Sequence, residues 1–178
     1  VVGTPNSGKS TLFNRLTGLK QRIGNYPGVT VERHIGLLTY GDKTTELVDL
    51  PGTHSLSAHS LEEHITVDVI FGRMEGTREP DGLLAVLDAT NLYQGLFLVQ
   101  QLIDLELPVI VAMTMADAAE ATGIGIDLER LQQLLGVPVY PVVATTGAGL
   151  EKLRAAISDI RCLAPPGRIP VWPELTAV

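Results

Sequence analysis

Eight consecutive residues carry the strongest chemical signal in the chain: Gly3-Thr4-Pro5-Asn6-Ser7-Gly8-Lys9-Ser10. They match G-x-x-x-x-G-K-[ST], between an apolar Val1-Val2 and a helical pattern that starts at Lys9. The glycines let the backbone wrap closely around a phosphate chain, with its N–H groups and the helix N-terminus facing the negative charge. Lys9 would reach the β- and γ-phosphates, and the Ser10 hydroxyl would bind Mg²⁺. Further along, Asp49-Leu50-Pro51-Gly52 ends an apolar strand pattern. An acid there can hold Mg²⁺ through a water, and Gly52 leaves its N–H free to approach a γ-phosphate. Alone, D-x-x-G is also an ordinary Pro-Gly turn. Thr30 lies between the two motifs, where a hydroxyl can complete Mg²⁺ coordination and report on the γ-phosphate. Thr also suits a strand start for its β-branch alone.

These residues need a scaffold, and the patterning supplies one. Residues 9–19 read as a helix with Leu12, Phe13, Leu16 and Leu19 on one face, followed by a Gly/Asn/Pro-bearing loop at 21–28. Residues 30–40 and 44–49 read as strands joined by a Gly41-Asp42 turn. A loop at 51–57 precedes a helix near 61–73. Buried strands are expected at 83–87 and 109–113, with a helix near 93–105 between them. Asp127 would cap a short helix to residue 135. A strand interrupted by Pro138 and Pro141 spans 137–143, and a last helix covers 149–161. Continuous apolar strands between amphipathic helices indicate a single α/β domain, with a mostly parallel sheet covered on both faces and one antiparallel hairpin strand. The domain is expected over 1–161, with the front of its first strand truncated. Residues 162–178, with Pro165, Pro166, Pro170 and Pro173, read as a Pro-rich tail or linker.

Composition narrows the function classes. At 178 residues with 45% hydrophobic and 19% charged, the chain is long and apolar enough for one folded domain. A net charge of -7 argues against a nucleic-acid binder, which needs a basic face. A nest of backbone N–H groups can still bind an anionic nucleotide. Cys162 is the single cysteine, so no internal disulfide forms and a reducing cytosol is the natural setting. Apolar runs such as 109–113 fall far short of the ~20 residues a membrane-spanning helix needs.

The P-loop, a lone switch threonine and D-x-x-G together resemble the translation-factor-related GTPases. The finer spelling is more specific. Asn25-Tyr26-Pro27-Gly28-Val29-Thr30-Val31-Glu32, then Val48-Asp49-Leu50-Pro51-Gly52-Thr53 with Ser55-Leu56-Ser57, is similar to the cytosolic G domain of FeoB-type ferrous iron transporters. The resemblance runs from Val1 to about residue 160. It implies the P-loop GTPase fold, with a six-stranded, mostly parallel sheet holding one antiparallel strand and helices on both faces. It also implies hydrolysis of GTP to GDP and phosphate, and a membrane transport domain in the same full-length protein, at the cytoplasmic face of the inner membrane. Oligomeric state is left open. Nucleotide contacts are implied for Asn6, Ser7, Gly8, Lys9, Ser10, Thr11, Thr30 and Gly52. Such domains are potassium-stimulated, which implies a K⁺ site at Asn6 and the carbonyls of Gly24 and Tyr26. A cation there could stabilise charge as an arginine finger does. The catalytic set implied is Lys9, Asn6, Thr30 and Gly52. The two switches would span about 21–31 and 49–73.

Two positions depart from the family pattern. Thr114-Met115-Ala116-Asp117 stands where N-K-x-D or N-M-x-D is expected. Asp117 can accept two hydrogen bonds from guanine N1 and N2, which adenine does not offer. Thr114 has one hydroxyl on a shorter arm, so it is expected to contact the base N7 without also bracing the P-loop. Val143-Ala144-Thr145-Thr146-Gly147 replaces S-A-x-x-G. The Ala144 N–H can still meet guanine O6, with Thr145 beside it, but the serine's bracing hydroxyl is lost. Weakened base recognition is the expectation. Thr53 replaces the glutamine that orients water in Ras-like enzymes, so hydrolysis should be slow. Alternatives are a nucleotide-gated binding module with little hydrolysis, a promiscuous GTP/ATP NTPase, and a ribosome-associated GTPase, the last disfavoured by the acidic balance. His54, His59, Glu62, Glu63 and His64 cluster near one helix start. Without a third ligand at matching spacing, they read as a polar switch helix rather than an iron site.

Overall fold

The apolar strand patterns fold into a sheet buried on both faces. The computed structural model describes residues 1–18 and 21–167. The first half comprises β1 (Val2–Gly3), α1 (Lys9–Thr17), β2 (Gln21–Asn25), β3 (Glu32–Tyr40), β4 (Lys43–Asp49) and α2 (Leu61–Ile70). The second comprises β5 (Leu83–Asp88), α3 (Leu92–Ile103), β6 (Val109–Thr114), α4 (Ala116–Ala121), α5 (Leu128–Leu135), β7 (Val139–Pro141), α6 (Leu150–Ser158) and a 3-10 turn at Ile160–Cys162.

A parallel sheet runs in the order β1-β5-β6-β7, and an antiparallel one in the order β2-β3-β4. Backbone hydrogen bonds from Val1 N to Val48 O and from Leu50 N to Val1 O, at 2.6 and 3.1 Å, join β4 to β1 in a parallel sense. Among the described residues seven strands therefore lie side by side, and β3 runs against both of its neighbours. The extra strand is β2, where a loop was expected. Apart from the exposed Ile23 its residues are polar or glycine, but ladder hydrogen bonds come from the backbone, so pairing with β3 overrides weak strand propensity.

Period-two alternation splits each central strand between two cores. Leu83, Ala85 and Leu87, with Val109, Val111 and Met113, pack against Ile65, Val69, Leu98 and Leu102 from α2 and α3. Leu84, Val86, Ile110 and Ala112 face the other way, onto Leu12, Phe13 and Leu16 of α1 and Leu153 and Ile157 of α6. The strands look uniformly apolar because both of their faces are covered.

Local signals held at several ends. Asp127 caps α5, accepting from the Arg130 N–H at 2.9 Å. Gly41 turns the β3–β4 hairpin with a φ of 59°. The expected last strand shrinks to β7, which follows Pro138 and stops at Pro141, since proline has no N–H for a ladder. α4 was not expected. Leu19, Pro170 and Pro173 lie outside the described residues, and residues 163–167 form no helix or strand.

Candidate functional site

The phosphate loop joins the end of β1 to the start of α1. Asn6 and Gly8 both take left-handed backbone, with φ of 64° and 79°, which aims successive N–H groups into one concavity. Asparagine is among the few side chains that tolerate this conformation. The first bond inside α1 runs from the Leu12 N–H to the Gly8 carbonyl at 2.9 Å. The amides of Lys9, Ser10 and Thr11 therefore have no acceptor within the helix and stand at its positive end.

Asp49, at the tip of β4, draws the loop's charged groups together. Lys9 Nζ donates to Asp49 Oδ1 at 2.5 Å, in a largely buried ion pair. Ser10 Oγ donates to Asp49 Oδ2 at 3.1 Å. A hydroxyl beside a carboxylate is a hard, all-oxygen donor set, which suits Mg²⁺. Pairing also settles the cost of burying both charges, so removing either partner would strand the other.

Gly52 follows where the chain crosses over the loop. A Cβ there would sit 3.1 Å from Pro5, too close for any other residue without a shift. The Thr53 N–H donates to the Gly3 carbonyl at 3.1 Å, docking this segment onto β1. Thr53 itself is fully buried, and its hydroxyl donates to the Ser55 carbonyl at 2.6 Å. Its side chain is committed to the protein, so it has no hydroxyl proton to give an attacking water.

Thr30 is exposed, and among the described residues it has no hydrogen bond to Ser10 or Asp49. Gly24 pairs with Arg33 in the β2–β3 ladder, and the Tyr26 carbonyl accepts from the Val29 N–H at 3.3 Å. Gly24 is thus held in the β2–β3 ladder, and the Tyr26 carbonyl is engaged within its own turn. The Tyr26 ring is buried in the core, with Arg33 5.9 Å from its centroid, and burial pushes its phenol up to about 12.

On the base side, one expectation is corrected. Thr114 was expected not to brace the P-loop, but its buried hydroxyl donates to the Ser7 carbonyl at 2.7 Å. A hydroxyl has one proton. Spent on Ser7, that proton is unavailable to an acceptor such as a base N7. The brace is kept. Met115, at a φ of 55°, precedes α4, and its Cε lies 3.7 Å from a Cβ built on Gly8. Asp117 is exposed in the first turn of α4. Ala144 and Thr145 occupy a turn closed by bonds from Val143 N to Ala148 O at 3.0 Å and from Gly147 N to Val143 O at 2.8 Å.

Three side chains given no such role from the sequence organise the site. Glu63 completes a capping box with Ser60, accepts from the His59 N–H at 2.9 Å, and reaches Thr53 Oγ1 at 3.3 Å. The His59 amide, then that of Ser60, holds its carboxyl below the usual range. Ser60-Leu61-Glu62-Glu63 spells this cap in the sequence. It also gives Glu63 a role other than metal binding, and no group of three potential ligands forms among the described residues. Gln101 Oε1 accepts from the Leu56 N–H at 2.8 Å, tying the loop to α3. Arg15 donates through Nη2 to the Thr145 carbonyl at 2.5 Å. Nothing in the sequence flags those last two contacts, because each joins residues far apart along the chain. A groove of about 660 Å³, lined by Lys43, Glu46, Val69 and Asp81 among others, shares no residue with the phosphate loop.

A glycine-wrapped phosphate-type loop and a Lys–Asp–Ser cluster on a doubly covered sheet define a domain of the P-loop GTPase fold. The family model described as "Ferrous iron transport protein B" matches residues 1–157, and the chain belongs to that family. The Fe(2+) transporter FeoB of Escherichia coli (strain K12) is 47% identical over 161 residues, covering 88% of this chain and 20% of the relative. The cytosolic domain of the T. maritima FeoB iron transporter in apo form superposes with a TM-score of 0.87 at 41% identity, over 94% of this chain and 65% of that one. Its GMPPNP form gives 0.82 at 44% identity, over 88% and 60%. The chain thus spans about a fifth of the length of the curated relatives it matches.

Proposed function

We propose that this domain binds GTP–Mg²⁺ and hydrolyses the γ-phosphate, and that its two switches signal to the membrane transport part of a longer ferrous iron transporter at the cytoplasmic face. The observation that carries the reading is the cluster of Lys9, Ser10 and Asp49 beneath the left-handed Asn6 and Gly8. In the loaded state Lys9 would exchange Asp49 for the β- and γ-phosphates, and the free amides of Lys9, Ser10 and Thr11 would hold phosphate oxygens. Mg²⁺, held by Ser10 and Thr30 with Asp49 behind a water, would neutralise charge developing on the phosphates. The Gly52 N–H would approach the γ-phosphate. Asp117 and the Ala144 N–H would read guanine, more weakly than usual, because the Thr114 proton already serves Ser7.

K⁺ stimulation belongs to the same proposal. Asn6 supplies an amide oxygen on the loop, and the carbonyls of Gly24 and Tyr26 are the right donors once switch I leaves its present bonding. Buried Thr53 favours slow hydrolysis, which keeps alive a second reading as a nucleotide-gated module.

Single-turnover phosphate release, measured with GTP in K⁺ and in Na⁺ and with ATP as competitor, tests all of this. Release should be faster in K⁺, and GTP should outcompete ATP by about 10-fold or more, as hydrogen bonds to a carboxylate predict. No release in either salt would leave the gated module. Equal GTP and ATP affinity would end the role given to Asp117.

A further inference from the structure

Val143 removes the serine hydroxyl that the family pattern places in the base loop, yet the loop is not left loose. Its two closing bonds, Val143 N to Ala148 O and Gly147 N to Val143 O, fix the neck of the turn and involve neither Ala144 nor Thr145. The tip is held from outside. Arg15 Nη2 donates to the Thr145 carbonyl at 2.5 Å across 130 residues of chain. The Arg15 carbonyl in turn accepts from Arg154 Nη2 at 2.6 Å. Arg154 belongs to α6, the helix that starts just after the loop. The loop is therefore gripped to one turn of α1 twice, at its tip through Thr145 and behind its exit through α6.

α1 is also the helix whose N-terminus forms the phosphate loop. Arg15 lies six residues after Lys9, so the rigid rise of the helix, roughly 9 Å, sets the distance between the two. A guanidinium is a fixed fork of donors that loses little freedom per bond formed. It can register the base loop against the phosphate loop without a hydroxyl at position 143.

We propose that Arg15 is a positioning residue for purine recognition: through the Thr145 carbonyl it holds the base loop so that the Ala144 N–H meets O6 of a bound guanine nucleotide, in place of the absent serine brace. The inference rests on the guanine-site reading above. Its signature is dependence on one ligand atom. Losing Arg15 should cost affinity only for nucleotides that carry O6.

The test uses the full chain and two probes: GDP, and 6-thioguanosine 5′-diphosphate, which keeps the N1–H and the 2-amino group and puts sulfur, a weak acceptor, in place of O6. Arg15→Ala should raise the Kd for GDP about 5–10-fold, the loss of one hydrogen bond, and leave the 6-thioguanosine diphosphate within about twofold. Arg15→Lys, which can still donate to Thr145, should recover most of the GDP affinity. Arg154→Ala should repeat the pattern at smaller amplitude, and serves as the second variant if Arg15→Ala does not fold. Melting of each variant without nucleotide checks folding. Equal losses for both probes, or no loss for GDP, would overturn the proposal. If the wild type itself does not distinguish the probes, the Ala144 contact is wrong, and the proposal falls with it.

Discussion

The phosphate side and the base side of the nucleotide site are built on opposite plans. On the phosphate side, eight consecutive residues make the loop, and the distant Asp49 draws in its Lys9 and Ser10 side chains through two bonds. The base side draws on two separated segments: Thr114 to Asp117, from the end of β6 into α4, and the turn at 143–148. They are tied together by single contacts, Thr114 to the Ser7 carbonyl and Arg15 to the Thr145 carbonyl. A contiguous nest of backbone amides keeps its function whatever most side chains are. A site assembled from single contacts can lose one to another duty, and the Thr114 hydroxyl already donates to the Ser7 carbonyl.

The comparison is broken most directly at Lys9. Lys9→Ala removes a charged contact to phosphate and strands the Asp49 carboxylate, so GTP and ATP should both weaken by about 100-fold in a fluorescent-nucleotide titration. A loss confined to one base would mean the two sides are not separable.

Thr114→Asn tests the base side. An amide has two N–H donors and can serve both the Ser7 carbonyl and a base N7. GTP affinity should tighten about 5-fold, roughly one neutral hydrogen bond. Unchanged affinity would mean that the Thr114 brace is not what weakens the pocket.

A smaller effect separates the sides by pH. The Glu63 carboxyl is held low by the His59 and Ser60 amides, so its capping contribution is full above the usual carboxylate pKa of about 4.3 and fades as pH falls below it. Amide exchange around residues 53–64 should quicken a few-fold on acidification, while the 143–148 turn stays unchanged. Glu63→Gln should remove that dependence. Equal quickening in both regions would show general acid loosening instead.

Much of this was legible from residues 3–10, 49–52 and 117, because their chemistry depends on spacing along a single segment or at a strand tip. The sheet core was readable for a similar reason: Leu83 to Leu87 and Val109 to Met113 are apolar at every position, which only a strand covered on both faces requires. β2 was not readable, since its pairing uses backbone groups that every residue carries. The expected roles of Asn6, Gly24 and Tyr26 came from family likeness. In the fold, Tyr26 is a buried core residue whose carbonyl already has a partner.

By itself, then, the sequence determined that a phosphate-binding loop sits on an α/β sheet and that an acid stands where guanine would be read. Tertiary structure decided how the Thr114 proton is spent, that Thr53 turns inward, that Glu63 caps α2, and that Arg15 holds the loop carrying Ala144. The reason is physical. A hydrogen-bond donor's type is written in its residue, but a donor with one proton has one strong use, and which acceptor receives it depends on what the fold brings within 3 Å or so.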